Sequence, residues 1–182
     1  MRPAGDVLTA VFPGIKRKAV ATPRRNPNDQ DVNAIPIKGL IGGMAVHYSS
    51  CCHPLPGDRI VGIVTSGKGV SIHTIDCDTL ENFTDSPERW LDVAWVVDKD
   101  AAQMFVGRMK VTLSNEPGSL GDLSTAIARN EGNIINLRIT NRSSDFLEME
   151  VDVEVHDVKH LSAIIGNLRA TPTITSVNRM KT

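Results

Sequence analysis

An α+β chain is predicted, because hydrophobic residues recur with two different periods along one sequence. Met109, Val111 and Leu113 alternate with polar residues, which marks a strand, and Leu120, Leu123 and Ile127 then follow at helical spacing. From Leu147 to Val155 the alternation is strict, with Glu148, Glu150, Asp152 and Glu154 between apolar residues. That strand has one core face and one wet, acidic face.

The C-terminal elements follow in order. A strand is expected over 105–113, and a helix over 119–130 is stopped by Gly132. A second strand contains Ile135, Leu137 and Ile139, and Asn141 to Asp145 is a turn into the acidic strand. Asp157 is the expected N-cap of a helix carrying Val158, Leu161, Ile165 and Leu168, and Ile174 and Val177 lie on a last strand. The order β-α-β-β-α-β predicts a ferredoxin-like sheet with both helices on one face.

Upstream, strands are expected over 44–48, 59–64, 70–74 and 90–97, with a short helix over 78–83. Ser66-Gly67-Lys68-Gly69 is a hairpin signal. The first 38 residues hold Pro13, Pro23, Pro27 and Pro36 and the basic residues Lys16, Arg17, Lys18, Arg24 and Arg25. Prolines deny this stretch regular structure, so it reads as a solvated linker whose basic run could also meet phosphates.

Charge divides the chain the same way. Residues 1–40 carry a net +4, residues 41–103 a net −5, and residues 104–182 none. The expected division is a basic linker over 1–38, a small mixed module over 39–102 and the ferredoxin-like unit over 103–182. No apolar run approaches a membrane span, and Pro3, Asp6 and Pro13 interrupt any leader pattern, so a cytoplasmic protein with no membrane partner is expected.

Gly62 to Lys68 has the spacing of a phosphate-binding loop. Gly69 stands where Ser or Thr should hold magnesium, and a strand follows where a helix is needed, so the hairpin reading is preferred. His156-Asp157 reads as a strand-to-helix turn. No nucleophile–base–acid constellation is visible, so no catalytic residue is assigned.

Two sites remain. Cys51, Cys52, His73 and Cys77 offer three thiolates and an imidazole, the donor set of a closed tetrahedral zinc site. One helical turn would place His73 and Cys77 on one face, and Pro54-Leu55-Pro56-Gly57 must bend the chain for both adjacent cysteines to reach one ion. His53 is a spare ligand. The alternative is a set of buried thiols beside a hydrogen-bonded histidine. The second site is the turn from Asn115 to Leu123. A glycine-bearing turn at a helix start exposes backbone N–H groups that suit a carboxylate. The alternative is a tight helix start without a ligand.

The stretches His47-Tyr48-Ser49-Ser50-Cys51-Cys52-His53-Pro54-Leu55-Pro56-Gly57-Asp58, Gly67-Lys68-Gly69-Val70 and His73-Thr74-Ile75-Asp76-Cys77 resemble the zinc-finger or ribosome-intersubunit module of long RelA/SpoT-family proteins. Residues 103–182 resemble the ACT domain that ends those proteins, and residues 6–12 the tail of the helical domain before the module. The resemblance implies a regulatory C-terminal region of a (p)ppGpp synthetase and hydrolase, whose catalytic domains lie N-terminal to it. It implies zinc on Cys51, Cys52, His73 and Cys77, and contact with the ribosome and deacylated tRNA.

It also implies an amino-acid site across two ACT domains of a homodimer. Asn115, Gly118, Ser119, Leu120 and Gly121 come from one copy, and Asn133, Ile134 and Ile135 from the strand of the other. The expected ligand is valine or isoleucine. Its carboxylate would meet the N–H groups of Leu120 and Gly121, its ammonium the Asn115 carbonyl, and its side chain Leu120 and Ile134. Binding would favour hydrolysis over synthesis.

Overall fold

Two four-stranded sheets, the upstream one mixed and the downstream one antiparallel, and a two-stranded ribbon make up the computed structural model, which describes residues 36–96 and 103–181. The basic run and the stretch at residues 6–12 lie outside the described residues. The described residues belong to one compact unit.

In the upstream module, β1 (Ile37–Lys38) is followed by β2 (Val46–Tyr48), β3 (Ile60–Thr65) and β4 (Gly69–Thr74). A 3-10 helix over Asp78–Phe83 and a 3-10 turn over Pro87–Arg89 lead to β5 (Trp90–Leu91) and β6 (Ala94–Trp95). The sheet order is β2-β4-β3-β5, with β2 parallel to β4, while β1 pairs with β6. The hairpin reading of Ser66 to Gly69 holds: β3 and β4 pair from Ile60–Thr74 to Thr65–Gly69. Gly69 must be glycine, since its φ is +92° and a Cβ would lie 2.1 Å from the Ala45 carbonyl oxygen.

The expected single strand over 90–97 is instead two short ones. Trp90 and Leu91 pair with β3, whereas Ala94 and Trp95 pair with β1. Between them the Asp92 carbonyl lies against Gly39, where a Cβ would stand 2.3 Å from it. The chain changes sheets at that close approach.

Downstream come β7 (Phe105–Ser114), α1 (Ser119–Arg129), β8 (Asn133–Arg142), β9 (Phe146–Val155), α2 (Val158–Arg169) and β10 (Ile174–Arg179). The order β10-β7-β9-β8 is antiparallel throughout, and the ferredoxin-like prediction holds. Met109, Val111 and Leu113 of β7 and Met149, Val151 and Val153 of β9 share one core with Leu123 and Ile127 of α1 and Leu161, Ile164 and Leu168 of α2. Asp157 caps α2 by accepting the His160 N–H at 2.7 Å.

The opposite face is less wet than the alternation predicts. Its acids meet partners on neighbouring strands: Glu148 with Lys110, Glu150 with Arg138, Asp152 with Arg108 and Asn136, and Glu154 with Asn133. Cross-strand pairing of this kind draws Asp152 to 6% exposure.

Leu55 of the upstream module is fully buried in the downstream core. Tyr48, Trp95 and Phe105 stack and meet edge-on with ring centroids 5.4–5.9 Å apart. The two modules are therefore joined by packing as well as by the chain. Among the described residues no helix is long and apolar enough to cross a membrane.

Candidate metal centre and candidate ligand turn

Three separate elements bring the cysteines and His73 together. After β2, the His53 N–H bonds the Ser49 carbonyl at 3.0 Å, closing a helical turn that holds Cys51 and Cys52. His53 ends this turn at φ +45°, in the left-handed region. Residues one apart on a helical turn diverge by about 100° rather than pointing to opposite faces, so both thiols reach one point. His73 comes from β4. Cys77 is the extended N-cap of the 3-10 helix, and its N–H bonds the Thr74 carbonyl at 3.1 Å. A tight turn after a strand joins His73 to Cys77, so the expected helical turn between them is corrected: the β3–β4 pairing keeps His73 extended.

Cys51 Sγ lies 3.5 Å from His73 Nδ1 and 3.4 Å from Cys77 Sγ, and Cys52 Sγ lies 3.9 Å from His73 Nδ1. All four donor atoms fall within 4.8 Å of one another. A tetrahedron with bonds of about 2.1–2.3 Å has edges of about 3.4–3.8 Å, so the group fits one ion.

The donors' electrostatics also fit. Burial pushes the Cys52 thiol up to about 12, where only a cation would make its thiolate favourable. Burial also raises Cys77, but hydrogen bonds from Thr79, Cys51 and Cys52 outweigh it and the net shift is downward. Burial lowers His73, which keeps the imidazole neutral and ready to donate a lone pair. The Thr74 N–H meets Cys52 Sγ at 3.4 Å. Thr74 and Thr79 were missed in the sequence; only the Cys-Asp-Thr start of a helical turn hinted at Thr79. His53, the spare ligand, stays outside the group and faces Arg108, Asp152 and Arg179.

At the second site Gly118 takes φ +96° as the N-cap of α1, and no atom lies within 4 Å of a Cβ built there or on Gly121. The first-turn N–H groups of Leu120 and Gly121 have no preceding helical carbonyl to bond. Asn115 Nδ2 donates to the Ser143 carbonyl at 2.7 Å, which fixes its amide and leaves the side-chain oxygen as acceptor. Leu120 is exposed over the turn. Ser119 is buried, and its hydroxyl lies 3.2 Å from that of Ser114.

Asn133, Ile134 and Ile135 sit at the far end of the sheet. Ser114 pairs with Phe146 on β9, whereas Asn133 pairs with Glu154. Eight residues of strand separate them, about 26 Å at 3.3 Å per residue. Within one chain the two halves of the expected amino-acid site do not meet. On β8, which is the sheet edge, Ile135, Leu137 and Ile139 are exposed. A ten-residue edge strand with these apolar side chains uncovered is a template for pairing.

Both parts of the described chain match known families. Residues 35–96 match the family described as RelA/SpoT RIS domain, and residues 101–179 match the ACT domain family. The GTP pyrophosphokinase rsh of Brucella ovis is 40% identical over 147 residues, 81% of this chain and 20% of that protein. The bifunctional (p)ppGpp synthase/hydrolase SpoT of Escherichia coli K12 is 32% identical over 153 residues, 84% of this chain and 21% of that protein. The chain thus spans about a fifth of the length of these relatives. A solved ACT domain from the GTP pyrophosphokinase of Chlorobium tepidum covers 42% of this chain and 99% of its own, at 16% identity and a TM-score of 0.38.

Proposed function

The chain belongs to the RelA/SpoT family, as the joined RIS and ACT domains of the C-terminal region, and from that premise we propose that it senses a free amino acid for a stringent-response enzyme. The carrying observation is the turn at the start of α1. A left-handed Gly118, open space over Gly121, unbonded first-turn N–H groups and a fixed Asn115 amide form an acceptor-and-donor cradle for an α-amino acid.

The cradle is open on its apolar side, and antiparallel pairing of two β8 edges would close it. Such pairing about the strand centre brings Asn133, Ile134 and Ile135 of the second copy beside residues 140–142, next to the Ser143–Asn115 contact. Leu120 and Ile134 would then hold a branched aliphatic side chain, valine or isoleucine, each buried methyl contributing roughly 0.8 kcal/mol. Differential affinity for two states would supply about 1–3 kcal/mol of coupling to catalytic domains, favouring alarmone hydrolysis over synthesis.

Titration calorimetry tests this. L-valine should give saturable heat with the wild type, and D-valine should not. Gly121→Trp, which fills open space without touching the core, should abolish the heat. Absence of heat with both L-valine and L-isoleucine would remove the branched-chain reading.

The RIS match over residues 35–96 favours a second role for the upstream module, docking on the ribosome and deacylated tRNA in the cytoplasm, with structural zinc on Cys51, Cys52, His73 and Cys77. Ribosome affinity that falls steeply with salt would support this role, and salt-independent affinity would count against it.

A further inference from the structure

The last strand reaches back from the ACT domain and grips both halves of the cysteine cluster. Arg179 ends β10, and its guanidinium forms a bidentate pair with Asp58, with Nη1 to Oδ1 at 2.8 Å. Its Nη2 also donates to the His53 carbonyl at 3.1 Å. His53 directly follows Cys52 and holds the left-handed conformation that ends the cysteine turn. Asp58 accepts the Leu55 N–H at 2.8 Å, so one carboxylate ties the loop to itself and to Arg179. Two residues on, Lys181 Nζ meets Asp76 Oδ2 at 2.8 Å, and Asp76 directly precedes Cys77.

Residues two apart on an extended chain share a face, so one strand end presents both cations to the module. The Met180 N–H bonds the Arg108 carbonyl at 2.9 Å, which keeps that end in register beside β7. The two grips differ in weight. The Arg179–Asp58 side chains are 14% and 6% exposed, a bidentate and nearly dry pair. Asp76 and Lys181 are 53% and 35% exposed, so water screens them. The Leu55 side chain in the ACT core and the Val158 N–H on the Pro56 carbonyl at 3.0 Å fasten the same loop from a third side.

We propose that Arg179 and Lys181 are positioning residues for the metal centre, clamping its two ligand segments onto the ACT domain so that metal loading and ACT order form one coupled equilibrium. This rests on the metal reading of the four donors. Holding the backbone of His53 fixes where the Cys52 and Cys51 thiols point, and holding Asp76 fixes the approach of Cys77. By linkage, an ion that favours the clamped loop also favours an ordered β10, and disorder in β10 weakens the ion.

The test compares the wild-type chain with Arg179→Ala, Arg179→Lys, Lys181→Ala and the control Arg169→Ala. Arg169 bonds the Val177 carbonyl from α2 and touches neither cysteine segment, so it reports general loosening of the domain. Zinc affinity by chelator competition and alkylation rates of each cysteine in stripped protein are both read. Arg179→Ala should weaken zinc by about tenfold, the usual effect of losing a partner that orients ligands. It should also speed Cys52 alkylation several-fold, with partial rescue by Arg179→Lys and a smaller effect of Lys181→Ala confined to Cys77. Wild-type values in Arg179→Ala, or changes no larger than those of Arg169→Ala, would overturn the clamp. A wild-type chain that takes no zinc would overturn the metal reading alone, and the alkylation rates of stripped protein would then decide the clamp.

Discussion

Arg108 and Asp152 face each other across β7 and β9 as a two-pronged pair, Nε to Oδ1 at 2.6 Å and Nη2 to Oδ2 at 2.9 Å. The guanidinium's hydrogen bonds hold the Asp152 carboxyl below the usual carboxylate range, against the opposing effect of burial. A carboxyl depressed in the folded state contributes stability above its unfolded pKa of about 3.9 and loses it as pH falls through the folded value. Arg108→Ala should therefore destabilise the chain at pH 7 by about 2 kcal/mol, discounted from a fully buried pair because Arg108 is partly exposed. Urea unfolding between pH 7 and pH 2 should show a shallower acid loss in the variant than in the wild type.

Leu55 belongs by sequence to the cysteine module and by packing to the ACT core. Leu55→Ala should cost about 2–5 kcal/mol through the cavity it leaves. Hydrogen exchange should rise in β7 and α2 as well as in the loop itself. A loss of protection confined to the upstream module would show that the contact does not join the two domains.

Metal uptake should release protons. The Cys52 thiol, pushed up to about 12 by burial, is protonated at neutral pH, whereas His73, lowered by burial, has no proton to give up. At least about one proton, that of Cys52, should leave per zinc bound at pH 7, measured by calorimetry in buffers of differing ionisation enthalpy. Cys52→Ser should lower that number by about one, and zinc affinity should rise with pH.

Two glycines of the ACT domain should respond oppositely to alanine. A Cβ on Gly132 would meet Ile127 and Ile164 at 2.9 Å and Val153 at 3.0 Å, so Gly132→Ala should destabilise by about 1–3 kcal/mol. Gly121 lies in α1 with open space around it, so Gly121→Ala should be neutral or stabilise by up to about 1 kcal/mol. Thermal unfolding of the two variants should bracket the wild type.

The ACT half was legible because its strands are long and one-sided. Ten residues of β9 repeat the same alternation, and a register slip would expose every buried valine at once. The upstream module was less legible. Its strands are two to six residues long, too short for a period to be read, and the break at Asp92 depends on the distant Gly39. The exposure of Leu137 and Ile139 could not be read either, since β8 has the residues of a core strand and only its place at the sheet edge leaves them uncovered.

The sequence by itself determined the β-α-β-β-α-β order, the N-cap at Asp157, the hairpin glycines and the grouping of four candidate metal donors. Each of these is a local property of residue type and spacing. Tertiary structure alone decided that adjacent Cys51 and Cys52 converge through a turn ended by a left-handed His53. It also decided that Asp152 is neutralised across the sheet, and that Arg179 lies against a loop 121 residues earlier in the chain. These relationships depend on which strands become neighbours, and strand order is fixed by the shared burial of faces far apart in sequence.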